Sequence, residues 1–215
     1  GDVGIAGDFR PSTGQIMSAC ARAVSDLGYR PRNLGRIPSP ALAAFGIAQG
    51  IPGMMVTGSH IPDDRNGIKF NLPSGEILKE DEDGIRAQDA ALPDGLFDRG
   101  GAFASGTADA LPEEESVGFD DYVARYLRFF REGCLSGLNV GLYEHSSVAR
   151  DPFFAVLSGL GARVDRLGFS TTFIPVDTEA IRREDVELGR EWARPGGYDA
   201  LVSADGDGDR PLGSA

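Results

Sequence analysis

Apolar and polar positions along the chain change period several times, and each change marks a predicted element. Val3-Gly4-Ile5-Ala6 reads as a short buried strand running into Gly7-Asp8-Phe9-Arg10-Pro11-Ser12. Ile16, Ala19, Cys20, Ala23, Val24 and Leu27 then recur at helical spacing up to Gly28, with Ser12 and Gln15 at capping-box distance. Ser39-Pro40 opens a second short helix through Leu42, Phe45 and Ala48 that stops near Gly50. Met54-Met55-Val56 is too short for anything but a strand, and it feeds the loop Thr57-Gly58-Ser59-His60-Ile61-Pro62. In Ile68-Lys69-Phe70-Asn71-Leu72 the alternation predicts a strand that buries Ile68, Phe70 and Leu72 and presents Lys69 and Asn71 on the other face.

Asp89 to Asp121 breaks the pattern. Nine acids stand against Arg99 alone amid Gly, Ala and Pro. That stretch reads as a surface connection and the boundary between two units, 1–115 and 116–215. The second unit begins with a helix from about Asp120, with Val123, Tyr126, Leu127 and Phe130 on one stripe. Strands at 138–143, 162–167 and 198–204 alternate with helices at 152–160 and around Trp192. Strand, helix, strand, helix, strand predicts an α/β fold with mixed, mostly parallel sheets flanked by helices.

Composition narrows the function. With Lys+Arg 21 against Asp+Glu 33 the net charge is −12, which repels phosphate backbones and argues against nucleic-acid binding. No apolar run is long enough for a membrane span, and no leader is evident, so a soluble cytoplasmic protein is expected. Cys20 and Cys134 are too few for a disulfide framework and read as reduced thiols, Cys20 as a packing residue. Two histidines, His60 and His145, make histidine-rich zinc chemistry improbable, and His145 reads as a hydrogen-bonded loop residue.

Two loops carry chemistry. In Asp205-Gly206-Asp207-Gly208-Asp209 the glycines let three carboxylates converge directly after a strand, and such a cluster of hard oxygens suits Mg²⁺ or Ca²⁺. An EF-hand is excluded because Arg210 stands where its sixth-position glycine belongs. A solvated acidic turn is the alternative. Ser59 could be a nucleophile, a phosphate acceptor or a turn residue capping a backbone amide, and spacing alone favours the turn. No Gly-x-Ser-x-Gly elbow supports a hydrolase.

In order and approximate spacing, Thr57-Gly58-Ser59-His60-Ile61-Pro62, Asn66-Gly67-Ile68-Lys69 and Asp205-Gly206-Asp207-Gly208-Asp209-Arg210 resemble the motifs of the α-D-phosphohexomutase superfamily. The resemblance implies two domains of that family's type, with Ser59 as phosphoryl carrier and Mg²⁺ held by Ser59, Asp205, Asp207 and Asp209. It also implies that Arg10 of Gly7-Asp8-Phe9-Arg10 faces the phosphoserine, that Lys69 is the general acid/base and that His60 belongs to the catalytic loop. Arg210 is expected to add positive charge for substrate, and cations such as Arg10 to depress the Lys69 pKa. Ile61 replaces the family's commoner Asn.

The implied activity is interconversion of hexose 1-phosphate and hexose 6-phosphate, on mannose, glucose or both, through a bisphosphorylated sugar. Glucosamine phosphate is the alternative substrate. A non-catalytic metal- or sugar-phosphate-binding fragment is the rival of another class, and a phosphatase or nuclease a third. The sugar-reading and distal phosphate loops of the family's third and fourth domains are not in this sequence, so the expectation is a part of a longer protein. The 215 residues also break off where the aspartate loop should feed another strand.

Overall fold

The computed structural model describes all residues except 60, 105–106, 108–110, 179 and 215, together with the backbone but not the side chains of 194–196. It contains two sheets with helices packed against them. β1 (Asp2–Gly7), α1 (Thr13–Asp26), β2 (Arg30–Asn33), α2 (Ser39–Gln49), β3 (Gly53–Val56), β4 (Ile68–Leu72) and β5 (Gly75–Glu76) build the first. Its strand order is β2-β1-β3-β4-β5, parallel from β2 through β3 and antiparallel beyond. After α3 (Lys79–Arg86) and α4 (Val117–Phe129), the second sheet is made from β6 (Asn139–His145), α5 (Arg150–Gly159), β7 (Arg163–Phe169), α6 (Arg183–Gly196), β8 (Ala200–Ala204) and β9 (Pro211–Ser214). Its order is β7-β6-β8-β9, with only β9 antiparallel. The expected mixed, mostly parallel α/β architecture is therefore present.

β1 is buried on both faces because α1 and α2 cover opposite sides of it. Ile5, Val3, Met17, Cys20, Ala21, Val24 and Val56 form one core cluster. Ala6, Leu34, Ala41, Leu42, Phe45 and Met55 form the other, to which α4 contributes Tyr122. α2 ends as its sequence predicts, with Gly50 in the left-handed conformation.

Several local expectations fail for identifiable reasons. Ser12 lies in the helical region and caps nothing with its side chain; its hydroxyl instead accepts a hydrogen bond from Asn66 at 3.1 Å, so no capping box forms. Leu27 closes α1 as its C-cap and is 76% exposed. On β4 the faces are reversed: Asn71 is buried while Ile68 and Leu72 are more than a third exposed. β4 has only the two-residue β5 outside it, so little covers its apolar residues. Lys69 is accordingly half-buried and engaged. The acidic stretch does not hang free: Leu96 is buried, Leu111 packs on the α1 side of the core, Asn33 donates to Pro112 O at 2.9 Å, and Glu115 pairs with Arg32. On α4 it is Tyr122 that is buried, whereas Leu127 and the C-cap Phe130 are each more than a third exposed. Finally, residues 211–214 do form a strand after the aspartate loop.

Candidate functional site

The carboxyl ends of the parallel strands of both sheets meet, the place where open α/β sheets bind ligands. From the first sheet come the loop after β1, the loop after β3 and the start of α2. From the second come the turn after β6, the segment after β7 and the aspartate loop after β8.

The serine loop rests on a buried charge network. Asp8 is fully buried and accepts hydrogen bonds from Arg10 N (3.0 Å), Arg10 Nε (3.0 Å), Thr13 Oγ1 (2.7 Å) and Thr57 Oγ1 (2.8 Å). Thr57 Oγ1 in turn accepts from Ser59 N at 2.8 Å. Arg10 donates to the carbonyls of Ser59 (2.8 Å), Ile61 (2.6 Å), Pro62 (2.6 Å) and Arg65 (3.1 Å). Every guanidinium nitrogen thus has an acceptor in the protein. Gly58 is required here, because a Cβ would lie 2.8 Å from Arg10 Cζ. Clamped in this way, Ser59 adopts φ +51, a conformation that non-glycine residues rarely take and that a dense surround must hold.

The aspartate loop is held by its backbone and left charged. Ser147 Oγ donates to Asp205 O (2.6 Å), Val148 N to Gly206 O (3.1 Å), and Ser39 N to Asp207 O (2.9 Å). His145, at φ +29 and fully buried, has its Nε2 2.7 Å from Ala204 O, which makes Nε2 the protonated nitrogen; burial pushes its pKa down to about 4. It is a neutral brace for the end of β8, hydrogen-bonded as expected but placed at the end of β6 and not in a loop. Asp205 and Asp207 are buried and Asp209 is exposed, and their ligand oxygens lie within 4.8 Å of one another. Burial and the charge of Asp207 raise the Asp205 pKa to about 7. Asp207 is pulled the other way: burial opposes its charge, but Lys69 and Ser39 outweigh it.

Across the seam the two loops touch. Ser59 Oγ donates to Asp205 Oδ2 at 2.8 Å. Ser39 Oγ donates to Asp207 Oδ2 at 2.7 Å. Lys69 Nζ donates to Asp207 Oδ2 (2.7 Å) and Asp209 Oδ2 (2.8 Å). The Lys69 pKa is raised, because those hydrogen bonds and charges outweigh a desolvation that would lower it. This reverses the sequence expectation, since Arg10 spends its charge on Asp8 and the loop carbonyls while the aspartates face Lys69. Arg210 closes the aspartate loop through its backbone, receiving a hydrogen bond from Asp205 N at 3.2 Å, and its guanidinium lies 3.8 Å from Asp209. His60 lies outside the described residues.

A cation fits this donor set. Three carboxylates of like charge converge, and Asp207 Oδ1 is buried with no partner among the described residues, a costly state that a metal ligand relieves. Sequence reading had singled out the serine, the lysine and the aspartates. Asp8 and Thr57 lie inside the quoted motifs without a role assigned to them, and Thr13 and Ser39 have a helix start as their only sequence signal.

Residues 1–92 match the family model for "Phosphoglucomutase/phosphomannomutase, alpha/beta/alpha domain I". A phosphomannomutase of Sinorhizobium fredii is 44% identical over 212 residues, covering 95% of this chain and 42% of that protein. The chain belongs to the phosphohexomutase superfamily. A phosphomannomutase of Salmonella muenchen is 40% identical over 210 residues, 98% of this chain and 41% of its own length. Among solved structures, a phosphoglucomutase/phosphomannomutase family protein from Burkholderia thailandensis superposes with a TM-score of 0.72 at 21% identity, covering 100% of this chain and 46% of that one, and so supports the fold. The chain therefore spans somewhat under half the length of these superfamily relatives. Among the described residues no helix is long and apolar enough to cross a membrane.

Proposed function

We propose that this chain is the phosphoryl-transfer portion of a phosphohexomutase that interconverts hexose 1-phosphate and hexose 6-phosphate, with Ser59 as the phosphoryl carrier. The observation that carries the reading is the 2.8 Å contact of Ser59 Oγ with Asp205, between a serine on one sheet and a carboxylate triad on the other. A nucleophile set against a cation-binding cluster suits phosphoryl transfer, which is governed by positioning and charge. Mannose phosphates are the favoured substrates, since the relatives at 40–44% identity over nearly the whole chain are phosphomannomutases, while phosphoglucosamine mutases match at 27–30% over comparable lengths and one reaches 36% over only 92 residues.

Asp205, Asp207, Asp209 and Ser59 would hold the metal, taken to be Mg²⁺, which when bound supplies positive charge against the phosphoryl oxygens. In transfer to the sugar, the bond between Ser59 Oγ and phosphorus breaks as one from the sugar hydroxyl oxygen forms, and the hydroxyl gives up its proton. Lys69 is assigned to move that proton: its aspartate partners hold it beside the serine loop in its charged form, so it acts directly as an acid and must shed a proton before acting as a base. Arg10 serves Ser59 from beneath, by holding the loop, and Arg210 offers charge at the exposed rim. His60 completes the loop assignment by family resemblance.

Incubation with a hexose 1,6-bisphosphate followed by mass spectrometry tests the proposal. Phosphate on Ser59 is expected, and an unmodified serine with intact bisphosphate sinks it. These 215 residues alone are expected to take up phosphate without completing the mutase cycle, because they span under half the relatives' length and lack the sugar-reading and distal phosphate loops that the family resemblance implies; full turnover by the chain alone would contradict that.

A further inference from the structure

Phe173 belongs to none of the motifs, yet it stands where the two loops meet. It lies in the segment after β7, 6% exposed, in a stretch anchored by Ser146, whose Oγ accepts from Ile174 N at 2.7 Å. Arg10 Cζ sits 4.3 Å from the centre of its ring, a cation–π stack in a desolvated place. Gly206 of the aspartate loop occupies the gap beside it: a Cβ on Gly206 would lie 3.2 Å from the Phe173 ring and equally 3.2 Å from the Ser59 carbonyl oxygen. That carbonyl is the one Arg10 holds at 2.8 Å. Ring, guanidinium, serine carbonyl and glycine therefore form one packed block, with two members from each side of the seam.

We infer that Phe173 is a positioning residue that fixes the separation of the serine loop from the aspartate loop. It acts through Arg10 and Gly206 and touches no reacting atom. The ring is rigid, so it sets a spacing that a flexible aliphatic side chain would not, and in phosphoryl transfer a small misplacement is costly. A Cβ on Gly206 would make the ring or the Ser59 carbonyl give way by a few tenths of an ångström.

Hydrogen exchange and kinetics on Phe173→Leu, Gly206→Ala and the double variant test the inference; only the kinetic measurement rests on the phosphoryl-transfer reading. In Phe173→Leu the amides of Ser59 and Ile61, which lie on the other side of the seam, should exchange about ten-fold faster. In the full-length enzyme kcat should fall about ten-fold with KM nearly unchanged. Gly206→Ala should act in the same direction by forcing the ring aside, and the double variant should lose less than the product of the two singles, because the smaller side chain makes room for the methyl group. If only the Ile174 amide quickens while Ser59 and Ile61 keep their rates, the ring merely packs its own segment and the inference is overturned. Independent effects in the double variant overturn it too. Should Phe173→Leu not fold, Gly206→Ala carries the same readouts alone. If the wild-type protein takes up no phosphate, the functional reading fails while the exchange measurements still decide the role of Phe173.

Discussion

The serine loop and the aspartate loop are built on opposite principles. Beneath Ser59 every buried charge is matched: Asp8 meets Arg10, Thr13 and Thr57, and Arg10 meets carbonyls. Around Asp205 and Asp207 the charge is unbalanced, with one carboxylate oxygen that has no partner among the described residues and one carboxyl shifted to about 7. The first loop is complete on folding, whereas the second presents a donor set that a cation could complete. Satisfied networks stabilise and fix geometry, whereas unsatisfied ones store binding energy at a cost in stability.

That contrast can be broken by substitution. Ser59→Ala has the largest expected effect, because it removes the group on which both loops converge. Turnover of the full-length enzyme should drop to background, and wild-type rates would remove Ser59 from the reaction. Asp8→Ala should cost about 3–5 kcal/mol of stability by stranding the buried Arg10, measured by urea denaturation. A loss below about 1 kcal/mol would mean that the network is not satisfied in the way its distances indicate.

Asp205→Asn should do the reverse in metal-free protein, raising stability by about 1–3 kcal/mol at pH 8. The sign follows from the raised pKa: the folded state holds a proton that the unfolded state releases near the ordinary carboxylate value of 3.8, so stability is lost as pH rises from about 4 through about 7. The variant should lack this decline, and saturating Mg²⁺ should abolish it in wild type. Identical pH profiles with and without the substitution would show that the triad carries no stored repulsion. Ser39→Ala is the smallest change, at about 1 kcal/mol, since it deletes one hydrogen bond to Asp207. It should weaken Mn²⁺ binding a few-fold without moving the urea midpoint much, and an unaltered affinity would confine Ser39 to starting its helix.

The fold was legible wherever period and punctuation agreed. β1, α1, α2 and β3 follow from apolar spacing closed by Gly28 and Gly50, and the alternating elements of the second sheet follow likewise. β4 was legible as a strand but not as to its faces, because alternation says which residues share a side and the neighbouring strands decide which side is covered. β2, with Arg30, Pro31, Arg32 and Asn33, has no apolar signal at all; it is an edge strand made by pairing with β1. The site residues that offer chemistry could be read from their motifs. Those that hold them could not, since Ser39 and Phe173 meet their partners only across the fold, and Asp8 ties its neighbours Arg10 and Thr13 to the distant Thr57.

The contact between Ser59 and Asp205 spans 146 positions. Closing a loop of that size costs about 4 kcal/mol in chain entropy, more than one hydrogen bond returns, so the contact cannot lead assembly and must be carried by the sheets on either side. During synthesis the serine loop emerges well before the aspartates do. A nascent chain thus passes through a stage in which the serine loop has Asp8 and Arg10 within reach but neither the Phe173 ring nor the charge cluster beside it. On the proposed role of Ser59, phosphoryl transfer waits until the later sheet is complete, so the site would report correct folding late.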